Sequence, residues 1–310
     1  MPLLSVVIPM YNEKEVITET YKRLKSALLP LEGDYELIFV NDGSRDGTYD
    51  VLLSGVGDDD KVKIIDFARN FVHQMAVRAG LKMACGQAIA IIDADLQDPP
   101  ELLPEMLEKW REGYDVVYGK RKSRQGESAF KKFTAFAFYR TLNALAGIDI
   151  PKDTGDFRVI DKKVKDAILS MREHGTFLRG MVSWVGYRQY PFEFERHERF
   201  AGTTKYPLKK MLKLAFDGIF SFSVTPIKFL SLIGIVEIIA AFVMLVLTLL
   251  LKFGSAGWII MSVLLVGGAL MLGMYILGEY IGRIYEETMD RPLYLISRTY
   301  GFEDKEQKER

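Results

Sequence analysis

Ala88-Ile-Ala-Ile-Ile-Asp-Ala-Asp-Leu-Gln-Asp-Pro-Pro-Glu101 is the stretch on which the fold turns. An apolar run too short for a helix passes directly into Asp93, Asp95 and Asp98 and then into two prolines. The run has the length of a buried strand, and the aspartates mark where that strand leaves the core. Pro99 and Pro100 suit the first turn of a helix, which the pattern extends through Trp110. Working outward, the same alternation recurs. Strands are expected at Ser5–Ile8, Glu36–Val40, Val62–Asp66, Ala88–Asp93 and Asp115–Tyr118, with helical stretches between them. Such an order predicts an α/β fold, Rossmann-like, with a mainly parallel sheet covered by helices on both faces. Ligands of such sheets bind beyond the carboxyl ends of the strands.

Polar residues gather at those ends. The first strand delivers Pro9-Met-Tyr-Asn-Glu13, the second Asn41-Asp-Gly-Ser44, and the fourth Asp93-Ala-Asp-Leu-Gln-Asp98. In an extended chain residues two apart share a face, so Asp93 and Asp95 are expected to point into one site. Two bare carboxylates there would repel, and a divalent cation removes that cost. Mg²⁺ or Mn²⁺ suits oxygen ligands and can bridge the oxygens of a diphosphate. No Gly-x-Gly-x-x-Gly turn follows the first strand and no Walker motif is present, which argues against a dinucleotide dehydrogenase or a P-loop enzyme.

Composition narrows the class further. The chain has 310 residues with 41 basic and 41 acidic side chains, so no overall charge favours nucleic acid, and none is expected as a partner. Its one cysteine, Cys85, excludes an internal disulfide framework and a cysteine zinc cluster. The N-terminal Met-Pro-Leu-Leu-Ser-Val-Val-Ile-Pro lacks a basic region and a small-residue cleavage site, and reads as a buried strand, not a signal peptide.

The character of the chain changes near Lys228. Phe229–Leu251 is apolar except for Ser231, Glu237 and Thr248, and a second apolar run spans Trp258–Ile281 with Glu279 near its end. Each is long enough to cross a bilayer, which takes roughly 20 helical residues. The link 252–257 is too short for a domain, so the pair is expected to form a hairpin with both outer ends on one side. Lys205, Lys209, Lys210, Lys213 and Lys228 precede it, and Arg283 and Arg291 follow, against Lys252 alone in the link. The positive-inside rule then places both termini and residues 1–204 in the cytoplasm, at the inner face of the plasma membrane. Within 205–226, Leu208, Met211, Leu212, Ala215, Phe216, Ile219 and Phe220 recur at helical spacing. That helix can lie in the membrane interface, pack on the soluble domain, or do both. The tail, 283–310, is expected on the cytoplasmic side with a frayed end at Glu303–Arg310. Gly267, Gly268 and Gly273 permit close helix contacts, and a homo-oligomer is expected.

Taken together, Val7-Ile-Pro-Met-Tyr-Asn-Glu13, Asn41-Asp-Gly-Ser44, Asp93-Ala-Asp-Leu-Gln-Asp-Pro-Pro-Glu101 and Gly155-Asp-Phe-Arg158 resemble the family 2 glycosyltransferases of GT-A fold. Within them the chain is most similar to the polyprenyl-phosphate group, the bactoprenol glucosyltransferases and dolichol-phosphate mannose synthase. Arg69-Asn-Phe71, His73-Gln74 and Ala79-Gly80 resemble the bacterial glucosyltransferase branch. The match runs from the first strand through the second apolar run.

The resemblance implies an inverting, single-displacement transfer of one sugar from a UDP- or GDP-sugar, UDP-glucose foremost, to polyprenyl (undecaprenyl) phosphate. Mannose, an amino sugar and modified arabinose stand as alternative donors, and a catalytically dead scaffold or a soluble acceptor as rival readings. Carried over by position, Pro9, Tyr11, Glu13 and Asp42 would cradle base and ribose. Asp93 would face ribose and diphosphate, and Asp95 with Gln97 would hold the metal, Asp93 beside them. Asp156 would stand on the acceptor side as base, and Arg121 would meet the lipid phosphate, with Arg124, Lys131 and Lys132 behind it. Arg196, Arg199 and Lys205 would clamp the donor diphosphate or acceptor phosphate, or else serve only headgroup attraction. Other readings stay open: Asp42 as a turn former with Gly43, Arg121 as a surface ion pair, Asp156 as a structural cap, and His73 as a packed side chain or a ligand of the sugar. No Gln-x-x-Arg-Trp stretch of the polymerising members is present, so one sugar per lipid is expected.

Overall fold

In the computed structural model the described residues are 1–31, 33–121, 154–171, 177–195, 255–289 and 291–302. They fall in two compact units, one holding the sheet and its helices together with the residues from Pro292 onward, the other holding the long C-terminal helix.

Eight strands form one sheet in the order β7-β5-β6-β4-β1-β2-β3-β8. These are β1 Leu4–Met10, β2 Tyr35–Asn41, β3 Val62–Phe67, β4 Ala88–Ile91, β5 Val116–Arg121, β6 Thr154–Asp161, β7 Gln189–Phe194 and β8 Ile296–Tyr300. The first four lie parallel to one another, and β7 is parallel to β5. β1 and β2 are buried along their whole length, which is why, apart from Ser5, Glu36 and the terminal Asn41, they read as apolar runs and not as alternating ones. The mainly parallel α/β sheet expected from the sequence is therefore present.

The helices of this unit are α1 Ile17–Leu28, α2 Thr48–Val56, α3 His73–Met83, α4 Leu103–Arg111, α5 Lys162–Ser170 and α6 Leu178–Trp184. Pro100–Leu102 forms a 3₁₀ turn ahead of α4, so the two prolines do open a helix but through a tighter first turn. α3 lies against β1 and β2 at Gly80. A Cβ there would overlap Val7 Cγ1 and come within 3.2 Å of Val40 Cγ2, so only glycine lets the helix approach this closely.

Three strands, β6, β7 and β8, escaped the sequence pattern. β6 runs antiparallel to both β4 and β5, with Ile91 paired to Arg158 and Lys120 to Thr154. Its reversed direction brings its first residues to the edge where β1, β2 and β4 end. β8 adds antiparallel to the outer edge of β3 and takes up part of the segment expected as a plain tail.

A seventh helix, α7 Ser255–Thr288, is continuous over 34 residues, and its sequence carries no charge between Trp258 and Gly278. Taken over the described residues, no helix is long and apolar enough to cross a membrane. The first expected span, 229–251, and the interfacial segment 205–226 lie outside the described residues, as do Arg124, Lys131, Lys132, Arg196, Arg199, Lys205 and the tail 303–310. Both spans thus rest on sequence.

Gly80→Val should lower stability by about 2 kcal/mol, the usual scale of overpacking, read as a drop in melting temperature of the purified protein. An unchanged melting temperature would show that α3 can move off the sheet at little cost.

Candidate active site

At the edge where β1, β2 and β4 end, three loops and the start of β6 converge. Continuing the register of Ile91 with Arg158 sets Asp156 opposite Asp93. Between these two carboxylates sits the imidazole of His73, the first residue of α3. Its Nε2 lies 3.3 Å from Asp156 Oδ2 and 3.6 Å from Asp93 Oδ1. Burial opposes charging the ring, but the two carboxylates outweigh it and push its pKa up to about 9.

Asp156 is 6% exposed and ringed by donors. Arg179 Nε on α6 donates to Oδ1 at 3.0 Å, Gln74 Nε2 reaches Oδ2 at 3.4 Å, and the buried Arg158 stands 3.7 Å from Oδ1. Leu178 N donates in turn to Gln74 Oε1 at 3.3 Å, tying α6 to α3 around the acid. Burial pushes Asp156 up, yet Arg179 and His73 dominate and hold it well below the usual carboxylate range. Asp93 shifts the other way. Burial raises its pKa, helped by Asp156 and Asp95 and opposed by His73.

Arg121 ends β5 next to Gly155 of β6. A Cβ on Gly155 would stand 3.0 Å from its Nη2, so the glycine preceding Asp156 leaves room for that guanidinium. Gly155 and Asp156 are successive residues of β6, so the guanidinium that meets Gly155 lies off the face opposite to the one from which the Asp156 carboxylate projects.

The expectation that Asp93 and Asp95 share one face of an extended strand needs correction, because β4 stops at Ile91 and the chain then turns. Leu96 adopts φ 58°, a left-handed conformation uncommon for leucine, which buries its side chain and reverses the chain. Asp95 Oδ1 accepts from Gln97 N at 3.1 Å, closing the turn, and Thr20 Oγ1 of α1 ties down Ala94 O at 2.7 Å. The alternation rule therefore ends before Asp95. Asp95 is nevertheless near enough for its charge to raise the pKa of Asp93. Among the described residues no group of three His, Cys, Asp or Glu is arranged to hold a metal ion. Asp93 Oδ1 is buried and has no hydrogen-bond partner among them, and the cation that faces it is the His73 ring at 3.6 Å.

On the other side lie the residues expected to hold base and ribose. Pro9 is buried within β1, Tyr11 is 37% exposed, and Glu13 and Gln97 are half-buried. Asn12, at φ 53°, donates its N–H to Ser44 Oγ at 2.9 Å and accepts from Arg45 N at 3.0 Å. Asp42 is buried, and its carboxylate accepts from Phe71 N at 2.6 Å and Asn70 Nδ2 at 2.8 Å. Burial raises its pKa to about 6 against those bonds. Asp42 thus holds the Asn70-Phe71 turn that precedes His73. Gly43 at φ 65° passes so close to Arg69 and Asn70 that a Cβ would overlap their backbone.

Sequence reasoning left His73 undecided and did not single out Gln74, Arg158 or Arg179 as partners of Asp156. Arg158 was visible inside the quoted Gly-Asp-Phe-Arg stretch, whereas Arg179 has no local signal, since only the docking of α6 brings it in.

Residues 5–169 match the family described as Glycosyl transferase family 2. A protein of Bacillus subtilis, YkcC, named as an uncharacterized glycosyltransferase, is 52% identical over 97% of this chain and 95% of its own. The prophage bactoprenol glucosyl transferase homolog of Escherichia coli K12 is 38% identical over 95% of this chain and 98% of its own. Among solved structures, glucosyl-3-phosphoglycerate synthase of Mycobacterium tuberculosis aligns at 17% identity and a TM-score of 0.48, over 69% of this chain and 76% of that one.

With nucleotide and metal absent, thermal stability should fall as pH rises from about 6.5, the ordinary histidine value, through about 9, the value His73 holds here. Below that window both folded and unfolded states bind the proton, and the ion pairs contribute in full; above it the folded ring must lose its charge. His73→Gln should flatten the slope in that window. An identical slope in wild type and variant would remove His73 as the bridging cation.

Proposed function

The chain belongs to glycosyl transferase family 2 and is a glycosyltransferase, and on that premise we propose that it moves a single sugar from a nucleotide diphosphate, UDP-glucose first among donors, onto polyprenyl phosphate. The observation that carries this reading is the pairing of Asp156 with Arg179 and His73. A carboxylate held so far below its ordinary range is a poor proton acceptor. It suits an acceptor that needs no base. A phosphate monoester has a second pKa near 6 and arrives as a nucleophile, whereas an alcohol must lose its proton during attack. Relatives named bactoprenol glucosyl transferase, 37% to 38% identical over nearly the whole chain, support the same acceptor.

The difficulty of the reaction is then to bring two anions together where water is scarce. Arg121 meets the acceptor phosphate, and Asp156 orients the acceptor or stabilises positive charge growing on the sugar as the bond to the nucleotide breaks with inversion. Pro9, Tyr11, Glu13 and Asp42 frame base and ribose. Asp93 and Asp95, with Gln97 nearby, would hold Mg²⁺ or Mn²⁺, which when bound would offset the charge of the leaving diphosphate. Two of these three residues are carboxylates, and the remaining oxygen ligands would come from the donor and from water.

The acceptor is a lipid, and the sequence of 229–251 and of α7 supplies the means of reaching it. We place these two segments as a membrane hairpin, with 1–204, 205–226 and both termini on the cytoplasmic side, where nucleotide sugars are made. Partners are therefore the donor, the lipid and the membrane.

Two experiments test the reading. Purified full-length enzyme given UDP-[¹⁴C]glucose and polyprenyl phosphate should move label into an organic phase, and kcat/KM should fall at least as far in Arg121→Ala as in Asp156→Asn from pH 6 to 9. A loss of about 10³-fold or more in Asp156→Asn, with under about tenfold in Arg121→Ala, would restore Asp156 as the general base. For topology, with Cys85 replaced by serine, a cysteine at Ser255 should react with an impermeant reagent from outside the cell and one at Gln307 should not. The reverse pattern would sink the arrangement.

A further inference from the structure

The outermost strand of the sheet is made by the far end of the chain. β8 follows α7 and pairs with β3 so that Arg298 lies opposite Asp66. Arg298 Nε donates to Asp66 Oδ2 at 2.7 Å, and its guanidinium lies 3.8 Å from the centre of the Tyr49 ring on α2. Asp66 is 6% exposed, and its other oxygen accepts from Asn41 Nδ2 at 2.6 Å. With its nitrogen committed, the Asn41 amide must present Oδ1 to Ser44, whose hydroxyl donates to it at 2.5 Å. The Ser44 oxygen then keeps its lone pairs for Asn12 N–H at 2.9 Å. Each link fixes the sense of the next.

The end of this chain of bonds is a backbone that needs holding. Asn12 sits in a left-handed conformation that an asparagine tolerates but does not prefer, and it separates Tyr11 from Glu13. We propose that Arg298 is a positioning residue for the donor, acting through Asp66, Asn41 and Ser44 on the Tyr11-Asn12-Glu13 loop; this rests on the reading of that loop as the nucleotide pocket. Without the guanidinium the Asp66 carboxylate loses one of its two anchors and can turn, the Asn41 amide is free to flip, and a flipped amide offers Ser44 a donor where it needs an acceptor. The nucleotide then meets a loop that must be ordered on binding, which weakens donor affinity and leaves the reacting groups at Asp156 untouched.

The test uses the full-length enzyme in detergent, with UDP in the presence of Mn²⁺ as the binding probe and UDP-glucose as the kinetic one. Arg298→Ala should raise the UDP dissociation constant and the donor KM by about three- to tenfold, the scale of one partly exposed charged bond, with kcat within about twofold. Arg298→Lys should recover about half of that loss on a logarithmic scale. Tyr300→Phe removes a bond from the same strand to Gly57 O, outside the relay, and should change neither quantity. Equal UDP affinity and donor KM in Arg298→Ala and wild type would overturn the proposal. So would a fall in kcat at constant KM, or the same loss in Tyr300→Phe, since either marks a merely structural strand. If Arg298→Ala fails to fold, Arg298→Lys decides, and a donor affinity unchanged from wild type overturns the proposal. A wild type that binds UDP but transfers no sugar defeats the transfer reading, while the binding series still judges Arg298. A wild type that binds no nucleotide defeats both.

Discussion

Two carboxylates, the half-buried Asp93 and the buried Asp156, face each other across the ends of β4 and β6 and can coexist as anions only with positive charge between them. That constraint organises the site. It requires β6 to run antiparallel to β4, so that the start of one strand meets the end of the other. It requires α3 to begin with a histidine aimed at the gap, and α6 to supply a guanidinium from the far side. His73 and Arg179 are the counter-charges, Gln74 joins the two helices that carry them, and Gly155 leaves space for a further cation at Arg121.

The aim of His73 has a conformational cost. Val72, which precedes it, holds φ 78°, a region that a β-branched residue rarely enters and that costs about 1–3 kcal/mol. The surrounding bonds offset that cost. Asp42 grips the Asn70-Phe71 turn with both oxygens, and Val72 O accepts from Met75 N at 2.9 Å as the helix begins. A residue expected to touch the ribose is thus also the anchor of the strained turn that directs the imidazole. On the proposed reading of the nucleotide pocket, Asp42 would serve the nucleotide side and the reacting side at once, which would tie the order of one to the order of the other.

Much of this was legible before any coordinates. β1 and β2 announced themselves as buried apolar runs, and the acids following Ile92 marked the edge where a ligand would sit. Asp156 and Arg121 came only through resemblance, because nothing local in Gly-Asp-Phe-Arg says that its strand runs backwards. The Asp93-x-Asp95 pair misled in geometry, since the alternation of a strand stops at Ile91 while Leu96 turns the chain. Arg179 and Arg298 were invisible for a simple reason: each is brought to its partner by packing of distant segments, and a lone arginine in a helix or near a terminus carries no spacing that tells of it. A cation between Asp93 and Asp95 was an expectation from chemistry and Gln97 was added by resemblance alone; among the described residues no group of three such ligands is arranged for a metal.

The position of β8 bears on how the protein comes into being. A ribosome delivers β3 long before Ile296, so through most of synthesis the outer edge of the sheet shows a row of open backbone donors and acceptors, the kind of surface on which unrelated strands add. The sheet closes only after the apolar segments between have been made and have left the ribosome. A fragment cut after residue 204 to obtain a soluble catalytic domain would keep that edge open for good, and would be prone to self-association even with every residue of the reacting site intact.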